Sequence, residues 1–394
     1  MKNLLFFVFV LFFVSSCKEK ELTPKNTPKT FGANGFSVDI FKTIVNNEEN
    51  EKNVILSPLS IKSAFLMAAN GANGETRNQI LSVLGAENND MDAINAGYHS
   101  LFQLLDYQGD TTRLGIVNAV FWDNQRIQMK PDFLTKVADN YEAEQYQYDF
   151  GLLSTKDDIN GWVDEKTEGR IKEILDQISG DDVMFLMNAL YFKADWKSGF
   201  SEDLTSNKDF TKSDGTVVSV PFMNNDWVYD AYANDEYQAL DLKFKNDDFS
   251  MTFLMPNQKS INEFINDLTL AKLDDLYASK LESQRVILSL PKFEISYKVT
   301  LNQYLIDMGM TLPFGNADFS NLGTAGGPLA IGQALHKTFL KIDEKGAEGA
   351  AVTSIGITTT SVPPPMVFNR PFVVILKNHK TNSYVFMAKI AEPK

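Results

Sequence analysis

The chain has 394 residues, of which 44% are hydrophobic and 22% charged, and its formal net charge is −14. This is a globular composition, and the acidic excess argues against nucleic-acid binding and against attraction to anionic surfaces. No linker-like stretch and no internal repeat divides the interior, so a single large domain is expected over 35–394.

Lys2 precedes an apolar run from Leu4 to Val14, followed by Ser15, Ser16 and Cys17. A charged start, an apolar centre and small residues describe a signal peptide over 1–16. The run falls short of the roughly 20 apolar residues of a membrane-spanning helix. Val14-Ser15-Ser16-Cys17 resembles the bacterial lipobox, in which cleavage precedes the cysteine and its thiol is acylated. Cys17 is the only cysteine, so no internal disulfide can form. The polar stretch after it, with Pro24 and Pro28, reads as a tether and completes a segment 17–34. The expectation is an exported protein held to a lipid membrane through Cys17. It would be a cell-envelope lipoprotein (outer membrane, periplasmic or surface-exposed), with release to the extracellular medium as the alternative.

Ser57-Pro58-Leu59-Ser60 opens a helix, with Ser as cap and Pro in the first position. Gly71-Ala-Asn-Gly74 reads as a helix-ending turn rather than a phosphate loop. Leu114 to Trp122 predicts a buried strand. Ile159 to Leu175 has helical spacing, with Trp162, Val163 and Ile171 on one face. Val183 to Phe192 predicts a second buried strand. From Val218 onward strand signals dominate: Leu240 to Phe244, Phe249 to Met255, Arg285 to Pro291, Val367 to Leu376 and Tyr384 to Ile390. Helices crowd the first half and strands the second without βαβ alternation, which points to an α+β fold.

Catalytic and metal chemistry is hard to find. The histidines are His99, His336 and His379, far apart and without ligand spacing, so no metal site is expected. No nucleophile elbow, Walker loop or dinucleotide-binding glycine motif is present, and no cofactor is expected. A Ser–His–Asp triad would have to use one of the three histidines. His336, in the strand-like Ala334-Leu-His-Lys-Thr338, reads better as a hydrogen-bonded core histidine, so the chain is not expected to be an enzyme.

The segment from Glu344 to Pro363, between strands ending near Ile342 and starting near Met366, is too long for an ordinary connection. Alternate residues Ala347, Gly349, Ala351, Thr353, Ile355 and Ile357 are small or apolar. The other set, Glu348, Ala350, Val352, Ser354, Gly356 and Thr358, is more polar. Period two with one apolar face is the pattern of a half-buried strand. A hairpin arm or a flexible stalk reads equally well from this pattern alone.

Several motifs resemble the serpin family of protease inhibitors. Met366-Val-Phe-Asn-Arg-Pro-Phe372 with Val373-Val-Ile375 matches its C-terminal signature, and Ile342-Asp-Glu-Lys-Gly346 its hinge. Asn53-Val-Ile-Leu-Ser-Pro-Leu-Ser60 is similar to the start of its central helix. Asn188-Ala-Leu-Tyr-Phe-Lys-Ala-Asp-Trp196 is similar to the strand leading to the loop's entry point, and Asn160-Gly-Trp-Val-Asp-Glu-Lys-Thr-Glu-Gly169 to the helix across the sheet. Leu290-Pro-Lys-Phe293 and Phe386-Met-Ala-Lys389 fit as well, with Ala388 where the family usually has Gly.

The resemblance implies a fold of three β-sheets, eight or nine helices and an exposed reactive-centre loop. It implies suicide-substrate inhibition of a serine protease: the loop is cut, an acyl-enzyme forms, and the freed strand inserts into the main sheet. The hinge residues are Glu344, Gly346, Ala347, Glu348, Gly349, Ala350 and Ala351. On the same resemblance Ser57, Ser60, Asn188 and His336 are expected to be the polar cluster that controls sheet opening, with Trp196 at the point where the loop first enters. Counting from Glu344 and back from Phe368 gives the same reactive bond, Thr360–Ser361, with Thr358 and Thr359 as neighbouring registers. No Lys or Arg lies between Gly346 and Asn369, so elastase-like or subtilisin-like proteases are favoured, with a papain-like cysteine protease as a further partner class. Heparin activation is not expected, because Asn95 to Asp106 contains no Lys or Arg. A monomer is expected. The alternatives are a non-inhibitory serpin acting as a binding protein and, less favoured, a hydrolase using His336.

Overall fold

The structure is a computed structural model that describes residues 34–86, 90–347 and 365–394. Cys17, the hinge residues Glu348, Gly349, Ala350 and Ala351, and the bond Thr360–Ser361 lie outside the described residues.

Nine α-helices occur among the described residues, mostly in the first half of the chain. The helix predicted at Ser57 is α1 (Pro58–Gly71). The Ser57 hydroxyl accepts from the Ser60 N–H, Pro58 occupies the first turn, and nearly every residue is buried. It ends at the predicted turn, and Gly74, with a left-handed φ of 51°, is the first residue of the next helix. The helical pattern read over Ile159 to Leu175 is α2 (Leu153–Lys166), which stops early. Glu168 and Gly169 adopt left-handed φ values of 50° and 81° and turn the chain. The Asn160 side chain then accepts from the N–H groups of Ile174 and Leu175, both at 2.9 Å, and donates to the Leu175 carbonyl. Helix-like burial continues through Leu175 without a helical backbone.

One layer carries the central feature of the fold. β1 (Thr112–Asp123) pairs with β2 (Glu144–Tyr148) on one side and with β3 (Met184–Asp195) on the other. Further along the layer β4 (Phe293–Thr300) pairs with β5 (Leu335–Ile342) over eight residues. Among the described residues β3 and β5 share no ladder. They are joined only at one end by β6 (Gly346–Ala347), which pairs antiparallel with β3 as Gly346↔Asp195 and Ala347↔Ala194. β6 also folds back on the end of β5, where the Asp343 N–H donates to the Gly346 carbonyl at 3.0 Å. Since β6 runs opposite to both neighbours, β3 and β5 are parallel to each other with a gap one strand wide between them.

Tyr107–Gln108 adds to the edge of β1, Ile127–Met129 and Gly323–Ala325 form a small sheet of their own, and the other strands form a nine-stranded sheet. The 17-residue strand Val217–Ala233 connects its parts: Ser206–Thr211 and Glu282–Pro291 pair along most of its length, and Tyr237–Lys243 pairs with its last residues. The run read as one strand over Val367 to Leu376 is two, Pro365–Val367 and Phe372–Asn378. Pro371, with no N–H to give, sits in the break. The first pairs parallel with Glu282–Pro291 and the second with Phe249–Pro256. The apolar core runs from this sheet beneath the split layer, and a smaller apolar cluster sits on the layer's other face under α2.

Candidate functional site

The polar residues singled out in the sequence meet at the middle of the gap. The Ser57 N–H donates to His336 Nε2 on β5 at 3.0 Å. The Ser60 hydroxyl donates to the side-chain oxygen of Asn188 on β3. Asn188 Nδ2 donates in turn to Asn118 Oδ1 on β1 at 2.8 Å, an oxygen that also accepts from the Ser63 hydroxyl at 2.7 Å. The first two turns of α1 thereby hold both banks of the gap and the strand behind one of them. Asn118, fully buried, completes this network and was not read from the sequence. A lone Asn inside an apolar strand gives no sign of which helix it will face.

Between the two banks lies a cavity of about 450 Å³, lined on one side by Met184 to Asn188 and on the other by Leu335 to Lys337, with Ser60 and Phe65 of α1 at its floor. Burial pushes the His336 imidazole down from its ordinary value to about 4. A histidine that is neutral when folded and basic when unfolded favours unfolding as protons become available. Its stabilising contribution is complete above about pH 6.5 and is lost as the pH falls towards 4. The shift amounts to about 3 kcal/mol. Denaturant midpoints should therefore fall over that window, and a His336→Gln variant should show a flatter dependence. Equal slopes in the two proteins would remove His336 from the account.

At the end of the gap Trp196 is 1% exposed. Its indole N–H donates to the Asp343 carbonyl at 3.0 Å and its backbone N–H to the Lys345 carbonyl at 2.9 Å. Its ring stacks on Phe244 at 4.5 Å and 11°. Trp196 thus fixes the turn that feeds β6, away from the His336–Asn188 cluster. The buried Glu344 carboxylate accepts from the Thr205 hydroxyl at 2.7 Å and from Lys292 Nζ at 3.1 Å. Burial raises this carboxyl, but the Thr205 and Lys292 hydrogen bonds outweigh it and hold the group below the usual carboxylate range. Thr205 and Lys292 were not read as site residues, since nothing local in the sequence pairs them with Glu344.

Gly346 is the tightest point. A Cβ built there would lie 1.9 Å from the Ala194 carbonyl oxygen, so no other residue fits without moving β3. Ala347, next to it, is buried with Ala194 on the core side of the layer. This is the side assigned to the small and apolar set of the alternation.

The histidines offer little to a hydrolase. His336 Nε2, the lone pair a general base would use, is occupied by a main-chain donor. His379 Nε2 does lie 2.7 Å from the Ser250 hydroxyl, which donates to Asp241. Ser250, however, has no exposed surface for a substrate to reach.

The family profile described as Serpin (serine protease inhibitor) matches residues 32–393. The chain belongs to the serpin family. It is 30% identical to rat alpha-1-antiproteinase over 363 residues, covering 91% of this chain and 87% of the relative. Among solved structures, the thermophilic serpin tengpin in its native state superposes with a TM-score of 0.84 at 32% identity, covering 93% of this chain and 95% of tengpin. Human thyroxine-binding globulin complexed with thyroxine superposes at 0.85 with 27% identity, covering 93% of this chain and 98% of that one. Serpins are in general inhibitors of proteases and not enzymes. The polar cluster at His336 and Asn188 lies part-way along one feature, the gap between β3 and β5, and the aromatic anchor at Trp196 lies at its end.

Proposed function

We propose that this serpin is an inhibitor that traps its target by inserting the cleaved loop between β3 and β5. One observation carries the reading: two parallel strands separated by a single-strand gap, with β6 already seated antiparallel at its open end. Continued at the register of β6, the small set of the loop faces the core. Thr353 then falls opposite both Asn188 and His336, where a hydroxyl suits the polar cluster. Glu348 falls on the opposite face between Lys193 and Lys341, and opposite charges on neighbouring strands stabilise such pairings. Ile357 reaches the level of Met184, at the foot of the cavity.

Cleavage is placed at Thr360–Ser361, where attack by a protease nucleophile forms an acyl-enzyme. A small β-branched residue there fits a shallow apolar specificity pocket, which supports elastase-like or subtilisin-like serine proteases, with papain-like cysteine proteases next. Mixing the protein with pancreatic elastase or subtilisin and running a denaturing gel tests this. A covalent complex resistant to SDS is the expected result, and a clipped chain with free protease would overturn it. The similarity to thyroxine-binding globulin supports the second reading, a non-inhibitory binding protein, which that negative result would favour.

Export and anchoring through an acylated Cys17 complete the proposal, placing a monomer at the cell envelope. A Cys17→Ser variant should move from the membrane fraction to the soluble fraction. Retention in the membrane pellet would contradict lipidation at this residue.

A further inference from the structure

Two apolar side chains stand in solvent beside the strand into which the loop returns. Pro365–Val367 pairs with Ile287 to Ser289, and these pair in turn with Asp226 to Asn224 of the 17-residue strand. Asn224, Asp226 and Val228 alternate onto one face of that strand. Val228 is 56% exposed and lies opposite Arg285, whose guanidinium donates to both oxygens of the Asp226 carboxylate at 2.8 and 2.7 Å. Beside Asn224, Leu204 is 53% exposed and ends the short turn Glu202–Leu204. The Asn224 side chain donates to the Leu204 carbonyl at 2.7 Å and accepts from the Ser289 hydroxyl at 2.7 Å. The next residue, Thr205, is tied to Glu344. Fixed backbone therefore presents both side chains. Charged neighbours are paired with one another, Arg285 with Asp226, Lys243 with Asp230 and Lys345 with Glu202.

The length of chain outside the described residues says what covers this face. Ser361 stands four positions before Pro365, a reach of at most about 14 Å. A protease of about 250 residues is about 45 Å across. An enzyme seated on Thr360–Ser361 must therefore overhang the face that holds Leu204 and Val228. A lone exposed apolar residue is ordinary on a protein surface, but these two lie within reach of the same bound enzyme.

We propose that Leu204 and Val228 form a second contact surface for the target protease, touching the rim of its substrate cleft away from the bond that is cut. This deepens the inhibitor reading and rests on it. The partner it fits is a protease whose rim is apolar where it meets this face, so the body of the inhibitor selects the enzyme together with the loop. Both residues determine specificity and neither takes part in the cleavage chemistry.

The test uses the whole protein with subtilisin and pancreatic elastase whose catalytic serine is replaced by alanine, so that binding is read without cleavage. Leu204→Asp and Val228→Asp should each weaken binding about tenfold by titration calorimetry. Leu204→Ser and Val228→Thr, which are gentler on the backbone, should weaken it about threefold. Leu153→Asp, at the exposed start of α2, should leave binding unchanged. With active protease the aspartate variants should slow the second-order rate of trapping about tenfold and leave the number of inhibitors consumed per enzyme unchanged. Unchanged affinity in the position 204 and 228 variants, or an equal loss from Leu153→Asp, would overturn the surface. So would failure of the unaltered protein to bind either inert enzyme. If active protease clips the chain without a complex while the inert enzymes bind as expected, the inhibitor reading falls and the surface stands.

Discussion

Replacing Ala347 by Arg should turn the protein from an inhibitor of its target protease into a substrate. Ala347 is 2% exposed, pairs with Ala194 in the ladder and belongs to the apolar core. Burying an unpaired guanidinium there costs several kcal/mol, so the arginine keeps the start of the strand out of the gap. Insertion slowed by even ~3 kcal/mol is slowed about 100-fold, enough for deacylation to overtake it. Titration of a fixed amount of protease should then need many more inhibitor molecules per enzyme, and the gel should show clipped chain in place of complex. An unchanged stoichiometry would mean that β6 is not the start of the inserted strand.

Cleaving the loop should raise the melting temperature by a large step. A strand running from Glu348 to Ile357 adds about ten residues with neighbours on both sides, and each ladder hydrogen bond contributes about 1 kcal/mol net. After the cost of ordering the segment, a gain of order 10 kcal/mol remains. In a chain of this size, with about 2 cal/mol/K of unfolding entropy per residue, that corresponds to a shift of about 12 °C. Differential scanning calorimetry of intact and loop-cleaved protein makes the comparison, and coincident transitions would contradict insertion. The intact protein would then be held by a kinetic barrier rather than by being the most stable arrangement.

The parts of the fold legible in the sequence are those where local chemistry is sufficient. Ser57-Pro58 announces α1 because cap and first-turn proline act within one turn. The strands containing Leu114 and Met184 are rich in apolar and β-branched or aromatic residues, which favours strand locally. Pattern fails where a side chain takes over the work of the backbone: Asn160 satisfies the N–H groups of Ile174 and Leu175, so apolar spacing continues past the end of α2 at Lys166. It fails again at Val367 to Leu376, where one apolar run crosses a proline and serves two different pairings.

At the site, Ser57, Ser60, Asn188, Trp196 and His336 entered through family resemblance, and the structure brings the polar four together while placing Trp196 at the far end of the gap. The unread partners, Asn118 for Asn188 and Thr205 and Lys292 for Glu344, are distant in sequence and ordinary in type. The requirement for glycine at position 346 is invisible without the Ala194 carbonyl facing it.

The direction of β6 has a mechanical consequence. It enters between two parallel strands from one end only, and Gly346 leaves its first position no freedom to slip. Pairing can therefore extend only one way, residue after residue, as a zipper closes. At about 3.3 Å per residue, a strand growing from Ala347 to Ile357 carries its leading end roughly 33 Å down the layer. On the proposed mechanism a protease held covalently just beyond that end would be hauled by the same distance, so the number of residues the gap accepts would set how far the captive travels.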